Sequence, residues 1–152
     1  MSGLMSLDKA VCTLMESLPK VEETESVPLI DCMGRVLTED LIAPINVPPH
    51  TNSAMDGYAL RSSDLDSAPT MLNISQRIIA GSLGTELLIG EAARIFTGAP
   101  LPDGADCVAM QENCIVNGEK VEVLDKLNCG DNLRFAGEDI KIGSTLLESG
   151  VR

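Results

Sequence analysis

Three short stretches of the chain combine side chains that could do chemistry with glycines that permit tight turns. They are residues 52–58 (NSAMDGY), 97–99 (TGA) and 137–139 (GED). Loops of this composition either present their side chains to a ligand or close turns by bonding their own backbone. The residue types alone exclude neither interpretation.

Two kinds of ligand suit these side chains. The carboxylates of Asp56, Glu138 and Asp139 are the oxygen ligands that a hard cation such as Mg²⁺ prefers, with water completing its shell. Thr97 and Gly98 could give a hydroxyl and exposed backbone N–H groups to an anion. Residue chemistry taken alone favours the competing interpretation, in which all three stretches are turns whose carboxylates bond local amides.

The composition excludes several other classes of site. One histidine (His50) and five cysteines without a CxxC pair cannot supply a familiar zinc pattern. A net charge of −12 and only three aromatic residues count against nucleic acid, which requires a basic surface and stacking rings. The charge also opposes an acidic membrane surface, and no run of 18 apolar residues occurs. Because no secretory signal is seen, we expect a cytoplasmic protein with five free, structural cysteines.

The first stretch lies within residues 48–60 (PPHTNSAMDGYAL), which apolar sequence flanks on both sides. The two prolines at its start fix φ and exclude a helix or a central strand, so the chain enters extended. Asp56 and Gly57 predict a turn, after which residues 58–60 resume an apolar course. The pattern favours a surface loop that ends in a hairpin. The alternative is a loop that presents Asp56, with Asn52 and Ser53 near it, to a ligand or partner.

Short strands are expected to carry the other stretches. Runs of β-branched and aliphatic residues predict strands at residues 71–80, 94–96 and 107–110. Residues 113–127 predict a hairpin that turns at residues 117–118 (NG).

A helix is predicted at the start of the chain. Ser6 can cap it, apolar residues at spacings of three and four form one stripe, and Pro19 ends it after about Leu18. Residues 27–30 (VPLI) predict a short strand, and residues 35–42 a short helix or strand between which the periodicity does not decide. The fold class expected is therefore mainly β with a few α-helices (α+β).

Three longer motifs point to a family. Residues 51–60 (TNSAMDGYAL), 94–112 (RIFTGAPLPDGADCVAMQE) and 136–152 (AGEDIKIGSTLLESGVR) resemble, in this order and spacing, the N-terminal part of the molybdopterin molybdenumtransferase (MoeA) family. The segments LMSLDKAV and DCMGRVLTEDL match its opening, so the resemblance covers essentially the whole chain. The SAMDGYA form of the first motif is closer to the bacterial members than to their eukaryotic relative, gephyrin.

The resemblance implies the last step of molybdenum cofactor synthesis. The family inserts molybdate into the dithiolene of adenylylated molybdopterin, with Mg²⁺, and releases AMP. Matching motif positions, taken with the residue chemistry above, give one set of predicted site residues. These are Asp56, Thr97 and Asp139 as catalytic residues, Ser53 and Gly98 as ligand contacts, and Asp56 and Glu138 as metal ligands.

The resemblance also implies a domain arrangement and partners. Residues 1–42 and 133–152 would form an elongated discontinuous domain, and residues 43–132 a β-rich domain inserted into it. The inserted domain would face the pterin-binding domain of the other subunit in a homodimer. Molybdopterin adenylyltransferase is a further partner that the resemblance suggests.

Family members continue well beyond the position where this sequence stops. Their pterin- and molybdate-binding domain and last β-domain have no counterpart here, so we expect a fragment made by truncation or proteolysis and inactive alone. A natural short protein is the less favoured alternative. Because molybdate and a phosphorylated pterin are anions, which a chain at −12 repels, the cations of the site must come from elsewhere. The alternative function is a non-catalytic dimerisation or scaffold module of a gephyrin-like protein.

Overall fold

The computed structural model describes residues 5–65 and 67–152. These residues fall into two units, one of residues 5–39 with Ser149–Arg152 and the other of Asp40–Glu148. The domain boundaries expected from the sequence, after residues 42 and 132, stay a prediction.

The first unit begins with helix α1 (Leu7–Ser17), and its predicted bounds are confirmed. The N–H of Lys9 donates to Oγ of Ser6 at 3.4 Å, so Ser6 is the N-cap. Asp8 lies in the first turn, where the helix dipole favours a negative charge. None of the residues of α1 is buried. No helix within the described residues has the length and apolar character needed to cross a membrane.

The strand predicted at residues 27–30 is wrong. Leu29–Asp31 form a 3₁₀ turn instead. Pro28 has no N–H to give to a strand ladder, and its carbonyl accepts from the N–H of Asp31 at 2.9 Å, which closes the turn.

A six-stranded sheet forms the main part of the second unit. Its strands are β3 (Gly57–Leu60), β4 (Thr70–Ile78), β5 (Glu91–Ile95), β6 (Cys107–Met110), β7 (Cys114–Asn117) and β8 (Lys120–Val123). Across the sheet their order is β6-β3-β5-β4-β8-β7, with β4 and β5 parallel and the other neighbours antiparallel.

Two short antiparallel pairs complete the second unit. The pairs are β1 (Leu41–Ile42) with β10 (Thr145–Leu147), and β2 (Asn52–Ser53) with β9 (Leu133–Arg134). Within residues 35–42, where a short helix or strand is expected, β1 is the only regular secondary structure. A mainly β chain with one α-helix among the described residues confirms the predicted α+β class.

The predicted strands and hairpin of the sheet are confirmed, and the hairpin turn is shifted by one residue. Asn117 pairs with Lys120, so the two loop residues are Gly118 and Glu119 rather than residues 117–118. Gly118 has a φ of 64°, a conformation that suits glycine.

The core occupies both faces of the sheet because neighbouring residues of a strand point to opposite sides. In β3, Tyr58 and Leu60 pack into one cluster and Ala59 into the other. The first cluster also contains Leu65, Leu72, Ala92, Cys107, Ala109, Val121 and Val123, and the second contains Ile78, Leu87, Ala93, Ile95, Ala99 and Val108. Apart from Tyr58, the buried side chains are aliphatic or small, so the sheet is sandwiched between aliphatic layers.

Gly57 begins β3, and the turn and hairpin predicted from Asp56 and Gly57 are wrong. Residues 54–56 form the bend, and β3 pairs with β5 and β6 rather than with the next strand in sequence. A Cβ at Gly57 would lie 1.9 Å from the carbonyl oxygen of Ala109 on β6. Glycine is therefore required because two backbones approach each other closely here. Asp56 lies immediately before a strand that has a neighbour on each side in the sheet.

Candidate functional site

Asp56 and Thr97 come from separate motifs and lie side by side. Gly57 at the start of β3 pairs with Ile95 at the end of β5, which brings the residues just outside these strands together. Oδ1 of Asp56 accepts from the backbone N–H of Thr97 at 2.8 Å and from its hydroxyl at 2.7 Å. This carboxylate–hydroxyl pair is the first element of the candidate site.

The charge of Asp56 is stabilised by its neighbours. The Thr97 N–H first, and then the Thr97 hydroxyl, hold the pKa of the Asp56 carboxyl below its usual range. Partial burial acts against this shift, and the charge of Arg94 supports it. Asp56 is therefore an ionised, half-buried carboxylate whose Oδ1 is held by two donors.

Ser53 and Gly98 support the backbone around this pair. Ser53 is 1% exposed, and its hydroxyl donates to the carbonyl of Met55 at 2.6 Å, which shapes the bend before Asp56. The N–H of Gly98 donates to the carbonyl of Ser53 at 2.9 Å. The N–H groups of Thr97 and Gly98, expected to be open to an anion, are thus engaged within the chain. The ligand contacts of Ser53 and Gly98 stay a prediction.

The third stretch forms its own charged cluster beside the first. Nη2 of Arg134 donates to both carboxylate oxygens of Asp139 at 2.7 Å, and its Nε lies 3.6 Å from Oε1 of Glu138. Oε2 of Glu138 accepts from the N–H of Phe135 at 2.9 Å. Hydrogen bonding to Asp139, and its charge, raise the pKa of Arg134 above its usual value.

Pairing of β2 with β9 brings the first and third stretches together. Asn52 is the register partner of Arg134, and the N–H of Ala54 donates to the carbonyl of Asn132 at 2.9 Å. The described contacts do not join the carboxylate of Asp56 to those of the third stretch, since each has its own partner. The structure therefore places two polar groups on adjoining loops and not one carboxylate cluster.

The described residues do not form a magnesium site by themselves. In residues 5–65 and 67–152, no three His, Cys, Asp or Glu side chains are grouped so that they could hold a metal ion. Glu138 and Asp139 already face Arg134. Mg²⁺ at Asp56 or Glu138 would meet one carboxylate of this chain and take its other ligands from water, substrate or another domain.

Sequence reasoning missed two arginines of this region. Arg134 precedes Glu138 by four residues, a spacing that favours an ion pair in a helix but carries little weight in a loop. Arg94 bonds Gly57 across 37 residues of sequence, and only the strand pairing reveals this contact.

The chain matches known proteins over nearly its whole length. The family model described as the MoeA N-terminal region (domain I and II) matches residues 5–152. The molybdopterin molybdenumtransferase of Haemophilus influenzae is 40% identical over 151 residues, which cover 98% of this chain and 37% of that protein. The molybdopterin molybdenumtransferase of Synechococcus elongatus is 38% identical over 134 residues, with 84% of this chain and 33% of that protein covered.

Solved structures give the same result for the fold. The crystal structure of the molybdopterin biosynthesis moeA protein from Pyrococcus horikoshii OT3 superposes with a TM-score of 0.87 at 36% identity. The superposition covers 97% of this chain and 40% of that one. The chain thus spans well under half the length of the relatives that it matches.

Proposed function

Because the chain belongs to the family of MoeA N-terminal regions, we propose that it acts in molybdenum cofactor biosynthesis as part of a molybdopterin molybdenumtransferase. The reaction proposed for the whole protein is the transfer of molybdate into adenylylated molybdopterin, with release of AMP. Its support is the extent of the match to relatives that carry this enzyme name, 98% of the chain in one case.

One observation connects the proposal to particular residues. Two motifs 41 residues apart in sequence converge on a single carboxylate oxygen, that of Asp56, which Thr97 holds with its N–H and its hydroxyl. A carboxylate held in this way has few orientations and keeps its charge. These are the properties of a group that binds and orients a substrate or a metal ion.

The lowered pKa supports one of the two roles that a carboxylate could have at this position. A carboxylate with a pKa below its usual range is a weak base near neutral pH, so we assign Asp56 to hold a ligand rather than to take up a proton. It would accept from N–H or O–H groups of the pterin or provide one oxygen to Mg²⁺. Mg²⁺, when bound, would neutralise phosphate charge on the substrate.

The remaining predicted residues have supporting roles in this proposal. Asp139, fixed by Arg134, would accept from the substrate with its charge already compensated, and Glu138 would meet the metal. Gly98 is exposed, and a Cβ there would have nothing within 4 Å, so a ligand can approach its backbone. Ser53 would act through the bend that it shapes.

We include in the proposal a cytoplasmic homodimer that receives its substrate from molybdopterin adenylyltransferase. A chain with a net charge of −12 repels molybdate and phosphate, so in this proposal the cations that bind them come from elsewhere, apart from metal held by the carboxylates. A second candidate function, a non-catalytic dimerisation or scaffold module, is favoured by the exposed apolar side chains of α1, among them Leu7, Leu14 and Met15. A turnover assay with and without the remaining domains distinguishes the two functions.

The test is an isosteric substitution in the full-length protein that carries this region. In Asp56→Asn one carbonyl oxygen can keep both bonds from Thr97, so we expect the variant to melt like the wild type. Losing the charge should lower insertion activity about 100-fold. Thr97→Ala should lower activity in the same direction, because it removes the hydroxyl and keeps the N–H.

Asp106→Asn is the matched control. The carboxylate of Asp106 also accepts from a backbone N–H and a hydroxyl, both of Ser62, at 2.6 and 2.8 Å. It belongs to none of the three stretches, so we expect wild-type activity from this variant. Wild-type activity in a well-folded Asp56→Asn protein would instead show that the loop is only a structural turn.

A further inference from the structure

Arg94 lies beside the carboxylate–hydroxyl pair and is held without an ion pair. In the sheet it is the register partner of Tyr58 on β3 and of Arg77 on β4. Its guanidinium carbon lies 4.5 Å from the ring centroid of Phe96 and 5.2 Å from that of Tyr58. Among the described residues, the ion pairs involve Arg35 and Arg134 and not Arg94. The direct contacts of this guanidinium are two aromatic rings and two neutral acceptors.

The guanidinium of Arg94 fixes the backbone that carries Asp56. Its Nη1 donates to the carbonyl oxygen of Gly57 at 2.8 Å, and its Nη2 donates to Oε1 of Gln111 at 2.6 Å. The N–H of Gln111 in turn donates to the carbonyl oxygen of Asp56 at 3.0 Å. Two consecutive carbonyls, those of Asp56 and Gly57, are thus held by one arginine and the glutamine that it contacts.

Arg94 also contacts the residue that precedes Thr97. Phe96, on whose ring the guanidinium lies, is joined directly to Thr97 in the chain. One side chain therefore contacts both segments that form the carboxylate–hydroxyl pair. The planar guanidinium of arginine can donate to two acceptors while it stacks on aromatic rings. The single ammonium group of lysine cannot do this.

We propose that Arg94 is a positioning residue for Asp56, which keeps the Asp56 carboxylate seated on the N–H and hydroxyl of Thr97. The relevance of this role to catalysis rests on the function proposed above. The positioning itself does not, because every contact that carries it lies within this chain and needs no substrate.

The test measures the hydrogen bond between Thr97 and Asp56 directly by NMR at neutral pH. The amide proton of Thr97 reports the bond through its chemical shift, and Asp56→Ala gives the shift without an acceptor. In Arg94→Met we expect the shift to move at least halfway toward the Asp56→Ala value. Arg77→Met is the matched control, since Arg77 also lies on Phe96, at 4.8 Å, but is not bonded to Gly57 or Gln111. It should leave the shift unchanged.

Arg94→Lys provides a second variant in case Arg94→Met does not fold, and we expect an intermediate shift from it. A wild-type Thr97 shift in folded Arg94→Met, or in Arg94→Lys if that is the folded variant, overturns the proposal and leaves Arg94 a purely structural residue. In the full-length protein Arg94→Met should lower kcat/KM about 10- to 100-fold. If the wild-type protein lacks insertion activity, the proposed function fails while the NMR result still decides the role of Arg94.

Discussion

Gly57→Ala tests the claim that Gly57 is required by the closeness of two strands. The added Cβ would lie 1.9 Å from the carbonyl oxygen of Ala109 and 2.9 Å from its carbonyl carbon. Because carbon and carbonyl oxygen normally approach to no less than about 3.3 Å, β3 and β6 would have to separate there by more than about 1 Å. Overpacking typically costs about 1–3 kcal/mol, and each ladder hydrogen bond lost adds about 1 kcal/mol. We therefore expect the free energy of unfolding of Gly57→Ala to be lower than that of the wild type by about 3 kcal/mol or more.

Urea denaturation of the chain, followed by circular dichroism, measures this change. Gly118→Ala is the control, because Gly118 has a φ of 64° and nothing within 4 Å of an added Cβ. That variant should lose only the backbone preference of glycine, about 1 kcal/mol. Gly57 has no positive φ, so a backbone preference for glycine does not add to the steric effect there. An unfolding free energy for Gly57→Ala within about 0.5 kcal/mol of wild type would refute the close approach of β3 and β6.

The remaining predictions concern titration and reactivity. The pKa of Asp56 is lowered from 3.8 in the folded chain, so its carboxylate stabilises the fold above the unfolded pKa, and this contribution is lost as pH falls through the folded pKa. The stability difference between wild type and Asp56→Asn should therefore be constant near neutral pH and shrink below 3.8 in acid denaturation curves. Burial raises the pKa of Cys114 to about 11 and that of Cys107 well above its usual value, so both should resist iodoacetamide at mildly alkaline pH in the folded chain. Mass mapping should find the label first on the exposed cysteines, Cys12, Cys32 and Cys129, and rapid labelling of Cys107 would contradict its burial.

Local pattern was sufficient for much of the fold. The apolar run that begins at Cys107 predicts the start of β6, and the serine cap predicts the start of α1, because both depend on neighbouring residues alone. The strand expected at residues 27–30 fails because a proline removes a ladder donor and its carbonyl closes a 3₁₀ turn instead.

The candidate site depended on contacts that no local pattern contains. The motifs identified Asp56 and Thr97, and the bond between them follows from the pairing of β3 with β5. The reason for Gly57 is a distance to another strand, and it could not be told from a turn glycine by sequence. The partners of Arg94 and Arg134 are likewise set by tertiary structure.

The pairing of β1 with β10 has a consequence for how this part of the family can change over evolution. Leu41, near the start of the second unit, is the register partner of Leu147, near its end. The chain therefore enters and leaves this unit at neighbouring positions. Opposed residues of an antiparallel pair have Cα atoms only about 5 Å apart. When a domain begins and ends at adjacent positions, it can be inserted into another protein, or its loops can be lengthened, and the distance between its two connections to the rest of the chain stays the same.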